Sequence, residues 1–413
     1  MVEWGLWGDK ARKFIFNPIE QDARITILEG SVRSGKTVAM IPKWLNYIMT
    51  GPPGLLLMTG VSKDTVYDNV LDDLFDTLGA GGYEYNRQSG DLIIKLPKGK
   101  TRRIKVIGAK DEGSEKYLRG KTLAGAYCDE LSLMPEKFFK QLLNRMSVKG
   151  AKLYGTTNPD TSFHYLYTEY ITSQAKIDAG MVGVIHFELE DNPNLSPEYV
   201  DFIKSAYSGM WYKRMILGLW VTADGAIYDM WSDDMKCLDS DLKHDYKSLC
   251  RRYIAVDYGT TNPMVFLDIY DDGAKVWVLN EYYYDSKVEQ KQQTDDQYAD
   301  ALEKFIGGEY PDFVIIDPSA ASFRTVLRNR GFAVMEADNS VNDGIRVTAM
   351  MMSLGRLRIH ARCKNTLREI DGYIWDEKAR ERGEEKPLKQ NDHAMDALRY
   401  FCKTIIAKWR LTA

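Results

Sequence analysis

At 413 residues the chain is too long for one ordinary core and has room for two domains. Its 44% hydrophobic and 28% charged residues are those of a globular protein and argue against a fibrous or disordered one. The net charge of -4 carries no global sign of nucleic-acid binding, yet does not exclude it, because local patches rather than the sum steer a ligand.

The first half alternates short apolar strands with helical patterns. Stretches 25–28 (ITIL), 54–60, 101–109, 123–130, 151–159 and 183–189 read as strands. Residues 64–79 between them have apolar positions three and four apart and read as a helix. This alternation predicts a doubly wound, mostly parallel α/β sheet. Residues 196–220 read as helical, and 221–249 as an acidic, irregular linker. Residues 252–284 then alternate apolar and polar positions, interrupted by GTTNP and DDG, which predicts three antiparallel strands. A helix at about 289–306, strands at 312–317 and 333–337 and further helices follow. That order is the one expected of an RNase H-like fold. The domain expectation is 1–230, with a helical subdomain at about 190–230, a linker at 231–250, and 251–413.

The five cysteines are scattered without a C-x-x-C pair, which argues against a zinc ribbon and fits a reducing compartment. The amino terminus lacks signal-peptide order, and no apolar run approaches the ~18 residues of a membrane span. No internal repeat is visible.

Residues 28–37, LEGSVRSGKT, have the spacing G-x-x-x-x-G-K-T after a strand and before a helical stretch. The loop Gly30, Ser31, Val32, Arg33, Ser34, Gly35 would turn its backbone N–H groups toward phosphates at a helix start. Lys36 would reach the β- and γ-phosphates of ATP, and Thr37 would hold Mg²⁺. Pro42 is expected to kink the following helix. The strand ending in Asp129–Glu130 would put one carboxylate beside Mg²⁺ and the other, as general base, near the attacking water. Thr156, Thr157 and Asn158, at another strand's carboxyl end, are placed to sense the γ-phosphate; a plain strand-to-loop turn is the alternative. Arg33 and Arg145 are candidates for stabilising transition-state charge, against the plainer reading of surface or structural arginines.

A second constellation lies in the carboxy-terminal half. Asp257 sits in a strand, Asp317 ends another, and Asp392 and Asp396 share one helical face beside His393. Carboxylates from separate elements can hold two divalent ions that activate water and stabilise a leaving phosphodiester oxygen. Asp257, Asp317 and Asp396 read as the metal set, with Asp392 and His393 in support. Asp317 as a loop cap, Asp392 as a helix cap and His393 as an ordinary helix-start histidine remain the alternatives. The histidines His164, His186, His244 and His360 read as structural. Arg356, Arg358, Arg362, Lys364 and Arg368 form either a solvated face or a phosphate-contacting surface.

Taken together, EGSVRSGKT, AYCDELSLMPEKFFKQLLNRM, YGTTNPDTSFHYLY, AVDYGTTNP and NDHAMDALRY resemble the large terminase subunit of tailed double-stranded DNA bacteriophages, over nearly the whole chain. The resemblance implies an amino-terminal RecA-like P-loop ATPase domain and a carboxy-terminal RNase H-like nuclease domain. It implies ATP-driven pumping of double-stranded DNA into a procapsid and endonucleolytic cutting of the concatemer. By position, Lys36 and Thr37 match the family's phosphate loop, Asp129 and Glu130 its magnesium and base residues, and Thr156 to Asn158 its coupling segment. Asp257, Asp317 and Asp396 match its nuclease carboxylates, with two Mg²⁺ or Mn²⁺ ions, and His393 a nearby histidine. The adenine contact is open, with Gln21 a weak match. Implied partners are the portal protein, the small terminase subunit and further copies in a ring, with a monomer compatible in free solution. No membrane is involved, and the setting is the host cytoplasm. A helicase-like translocase without nuclease activity, or an ATP-switched capsid-assembly protein, are the competing readings.

Overall fold

A computed structural model describes residues 6–242, 249–260 and 262–406; His244 lies outside them. The chain divides into two compact units, Met1–Ile203 with Tyr212–Thr222, and Lys204–Trp211 with Ala223–Ala413.

The first unit is built on eight strands: β1 (Ile25–Gly30), β2 (Leu55–Gly60), β3 (Tyr83–Asn86), β4 (Asp91–Lys95), β5 (Thr101–Gly108), β6 (Leu123–Cys128), β7 (Lys152–Thr156) and β8 (Val182–Phe187). They form one sheet in the order β3-β4-β5-β2-β6-β7-β1-β8. All pairings from β5 to β8 are parallel, and β1 and β6 are buried along their whole length, as strands covered on both faces must be. The helix Lys36–Thr50 packs into one of the sheet's two cores, with Trp44, Tyr47 and Ile48 fully buried. The helix Glu136–Arg145 packs into the other through Phe138, Phe139 and Leu142.

Two details depart from the sequence reading. The antiparallel hairpin β3–β4 adds an edge to the sheet; its strands of four and five residues are half exposed and carry little apolar pattern. The stretch 196–220 is helical only over Pro197–Ser205 and Gly209–Met215. Beyond Met215 the chain leaves the helix, with Gly218 in the left-handed region at φ +66°.

The second unit contains β9 (Lys236–Cys237), β10 (Arg251–Asp257), β11 (Met264–Asp271), β12 (Val276–Tyr284), β13 (Phe313–Ile316), β14 (Val334–Glu336) and β15 (Leu357–His360). The sheet order is β14-β13-β10-β11-β12-β15-β9. β10, β11 and β12 form the antiparallel meander, and β13 and β14 add in parallel on the side of β10. This is the RNase H-like arrangement, extended by parallel β15 and β9. Within the stretch read as linker, Lys236 and Cys237 pair with Ile359 and His360 and so belong to this sheet. The helix His393–Phe401 packs across β10, β11 and β13 with nearly every residue buried. No described helix is long and apolar enough to cross a membrane.

Candidate functional site

In the first sheet β6, β7 and β1 are adjacent and parallel, so their carboxyl ends lie side by side. That order brings together three segments distant in sequence: 32–37 after β1, Asp129–Glu130 after β6, and Thr156–Asn158 at the end of β7. They line one cleft of about 480 Å³, together with Asn69 and Asn192. Crevices at the carboxyl ends of such strands are where α/β sheets bind ligands.

The loop opens with Gly30 at φ +128°, where an added Cβ would lie 2.0 Å from the Phe187 carbonyl oxygen, so only glycine fits. Gly35 is left-handed at φ +88° and caps the helix that starts at Lys36. Arg33 also adopts a left-handed backbone, φ +56°, and lines the cleft with its side chain exposed. The buried Lys36 ammonium donates to the loop's own acceptors: the Gly30 carbonyl at 3.2 Å, the Ser31 carbonyl and Ser34 Oγ at 3.2 Å. It also donates to Asn158 Oδ1 at 3.0 Å, which ties the β7 segment to the loop directly. Burial draws its pKa down to about 8, against the pull of Glu29, Glu130 and Asp129.

Asp129 is buried and accepts from Asn69 Nδ2 at 2.9 Å and from Thr156 Oγ1 at 2.9 Å. Burial nonetheless outweighs these bonds and raises its pKa, as desolvation does to a carboxylate. Thr37 and Asp129 both line the cleft, an oxygen donor pair that suits Mg²⁺. Glu130 lines it too, half exposed, with a left-handed backbone at φ +53° that a glutamate adopts only under constraint. Thr157 Oγ1 accepts from the Ser132 N–H at 3.0 Å and so links the β6 and β7 loops. Arg145, half buried in its helix's last turn, and Gln21 are not among the cleft's lining residues.

The loop is braced from behind by the segment after Met215. Val32 N–H donates to the Met215 carbonyl at 2.9 Å, and Trp220 Nε1 donates to the buried Glu29 at 3.0 Å. His186, read as structural, holds the other Glu29 oxygen at 2.7 Å. Gly218 passes so close that a Cβ would sit 2.9 Å from the Ser31 nitrogen.

In the second sheet β10 and β13 are neighbours, with Val256 opposite Ile316, so Asp257 and Asp317 emerge at the same end. The helix His393–Phe401 adds Asp392, His393 and Asp396. His393 Nδ1 lies 2.9 Å from Asp257 Oδ2. Burial raises the Asp257 pKa, with Asp396 and Asp392 adding to the rise against His393. Burial lowers that of His393, but the Asp257 bond and charge prevail and hold it above the ordinary value. Asp317 accepts from Ser319 N–H at 2.7 Å, from Asn339 Nδ2 at 3.0 Å and from the Tyr400 hydroxyl. These bonds outweigh burial and lower its pKa. Asp317 is thus also a loop cap. Tyr400 feels Asp257, Asp396 and Asp317 together, and burial with these charges pushes its hydroxyl pKa well up.

The expected metal set is gathered but not closed. Among the described residues no three His, Cys, Asp or Glu side chains converge on one ion position. Two of the carboxylates, Asp392 and Asp396, are held by side-chain cations. Arg399 bonds Asp396 at 2.9 Å, and Lys389 lies 3.0 Å from Asp396 and 2.9 Å from Asp392. The hard oxygen donors fit a divalent ion chemically. Asp392 caps no N–H with its side chain, so it is not the helix cap its position suggested.

Sequence reasoning passed over Glu369. It is buried and accepts from the Ala394 N–H at 2.6 Å and from the Tyr283 hydroxyl at 2.7 Å, which caps the His393–Phe401 helix. Asn69 and Lys389, outside every motif, and Arg399 and Tyr400, at the end of NDHAMDALRY, were missed as well. Of the basic cluster, Arg362 pairs with Asp239, while Lys364 and Arg368 are exposed.

Comparisons with known proteins agree with this architecture. Residues 27–231 match the family model described as terminase large subunit, T4likevirus-type, N-terminal. The large terminase subunit of Escherichia phage T5 is 26% identical over 226 residues, 52% of this chain and 50% of that protein, so the match spans only half of the T5 protein's length. A solved large terminase from a thermophilic bacteriophage is 38% identical, with 97% of this chain and 100% of that chain covered and a TM-score of 0.89. A structure of the same thermophilic-phage enzyme in complex with ADP matches at a TM-score of 0.88, with 38% identity and the same coverage of both chains. With 38% identity to that relative over 97% of its own length, the chain belongs to the family of phage large terminase subunits.

Proposed function

We propose that this chain hydrolyses ATP to drive double-stranded DNA into a procapsid and cuts that DNA at a second, metal-dependent centre. The observation that carries the motor half is the Asn158–Lys36 hydrogen bond at 3.0 Å. It makes the β7 segment a direct reader of whatever Lys36 holds. A bound polyphosphate takes Lys36 away from Asn158 and the loop carbonyls, and its loss returns Lys36 to them. Glu130 serves as the base that takes the proton of the attacking water while ADP leaves. Mg²⁺ at Thr37 and Asp129 would neutralise phosphate charge. Movement of Val32 is handed to Met215, where the brace behind the loop begins. The thermophilic-phage terminase, 37–38% identical to this chain, has been solved with ADP and with ATP-γ-S, which supports the nucleotide reading.

For the nuclease half, Asp257, Asp317 and Asp396 are the ligand candidates, and His393 orients Asp257. Two Mg²⁺ or Mn²⁺ ions bound there would supply water activation and leaving-group stabilisation. Portal protein, small subunit and a ring of copies are the partners this function requires, in the host cytoplasm. Plasmid cleavage in Mn²⁺ without ATP, measured beside ATP turnover, separates the two centres. Lys36→Ala should lose turnover and keep cutting; Asp317→Ala should do the reverse. A folded Lys36→Ala chain that loses both would refute the division of labour.

A further inference from the structure

We infer that Lys389 is a resident counter-cation of the nuclease centre: its ammonium sits between Asp396 and the supporting Asp392, two carboxylates that would help hold a divalent ion, and would have to leave before such an ion enters. The inference rests on the nuclease reading and adds its control.

Both contacts of Lys389 Nζ are to Oδ2 atoms, 2.9 Å from that of Asp392 and 3.0 Å from that of Asp396. The two carboxylates therefore aim an oxygen at one shared point, and a positive charge sits on it. Asp392 is 4% exposed, and its Oδ2 accepts no well-formed hydrogen bond; the ammonium is its ion-pair neighbour. A buried carboxylate oxygen left without hydrogen bonds is costly unless a cation satisfies it. An aspartate at a helix start ordinarily caps the helix, and here that work is done by Glu369, which leaves Asp392 aimed elsewhere.

The two cations on Asp396 are not equivalent. Arg399 holds Oδ1, is only 2% exposed and also donates to the Asn339 carbonyl, so it is fixed. Lys389 stands on a side chain that is 62% exposed, a compact charge on a flexible stem that can swing out. Once displaced, the ammonium has an obvious new partner in the phosphodiester of the DNA to be cut. Metal entry is thereby opposed in the DNA-free chain and eased when DNA offers Lys389 a phosphate. An uncommitted nuclease is kept from loading.

The test is calorimetric titration of Mn²⁺ into the nucleotide-free full chain, its Lys389→Met and Lys389→Arg variants, and Asp396→Asn with and without Lys389→Met. Removing a unit charge next to two carboxylates should tighten Mn²⁺ binding about tenfold or more. Lys389→Arg keeps the charge and should stay near the parent, and Asp396→Asn should erase the gain. Equal affinity of the parent and Lys389→Met, or weaker binding by the latter, overturns the inference while leaving the metal reading intact. If neither chain binds Mn²⁺ and both are folded, the metal reading falls and this inference with it.

Discussion

Raising the pH from 7 to 9 should weaken nucleotide binding through a single group, Lys36. Its buried ammonium has a pKa drawn down to about 8 in the nucleotide-free chain. A polyphosphate placed against Nζ favours the charged form, so the pKa rises on binding and the complex takes up a proton. The sign follows from that. Well below pH 8 Lys36 is already charged and binding takes up almost no proton. As the pH rises through 8 toward the pKa of the complex, affinity is lost. With a free-chain pKa of about 8, the charged fraction falls from about 0.9 at pH 7 to about 0.1 at pH 9, and the Kd for ADP rises roughly tenfold. Near pH 8, about half a proton should be taken up per ADP bound. Isothermal titration at pH 7, 8 and 9, in pairs of buffers with different ionisation enthalpies, reads both quantities. Lys36→Arg cannot lose its proton, so whatever ADP binding it retains should be flat over this range. A parent Kd that stays constant from pH 7 to 9, with no proton uptake at pH 8, would refute the placement of phosphate against Lys36.

Two further outcomes follow from buried polar groups. Lys43, wholly buried, pairs with Asp22 at 2.8 Å and donates to the Asn17 carbonyl at 2.6 Å. Lys43→Ala strands a buried carboxylate and should destabilise the first unit by about 3–5 kcal/mol, read as a shift of its denaturant midpoint; a midpoint unchanged would contradict the pair's burial. Glu369→Ala leaves the Ala394 N–H and the Tyr283 hydroxyl without their acceptor. It should cost about 1–3 kcal/mol in the second unit and suppress Mn²⁺-dependent cutting while ATP turnover persists; undiminished cutting would show that the helix needs no such cap.

What could be read from the sequence is what is local in it. The phosphate loop is one continuous segment whose glycines are required where they stand, Gly30 because no Cβ fits beside Phe187. Asp129–Glu130 and Thr156–Asn158 end strands whose apolar runs are unmistakable, and a doubly wound sheet sends such ends to one edge. The meander 252–284 was legible for the same reason, since alternation and turns are short-range signals. The rest depends on who meets whom. Nothing near Trp220 announces that it will bond Glu29, 191 positions away. The segment 216–220 has helical composition, but Gly218 and the bond to Glu29 draw it onto the phosphate loop. Asn69 is one polar residue on an amphipathic stretch until the sheet places it on Asp129. Glu369 looks like a surface charge until two elements close over it.

Both centres share a physical device that bears on affinity. Each parks an ammonium on its own acceptors: Lys36 on the loop carbonyls and Asn158, Lys389 on Asp392 and Asp396. A ligand therefore finds acceptors that are already satisfied, and its binding is an exchange in which only the difference between old and new partners appears as free energy. The two exchanges run in opposite senses. At the first centre the proposed incoming group is an anion, and Lys36, buried at the start of its helix, would be retained as its partner and pass its change of partner to Asn158. At the second the incoming group is a cation, and Lys389 must depart; an exposed, flexible side chain suits that part and a buried one would not. The burial of each lysine thus fits the role proposed for it: a buried ammonium where a phosphate would be reported to a neighbouring strand, and an exposed one where it would have to give way to a metal ion.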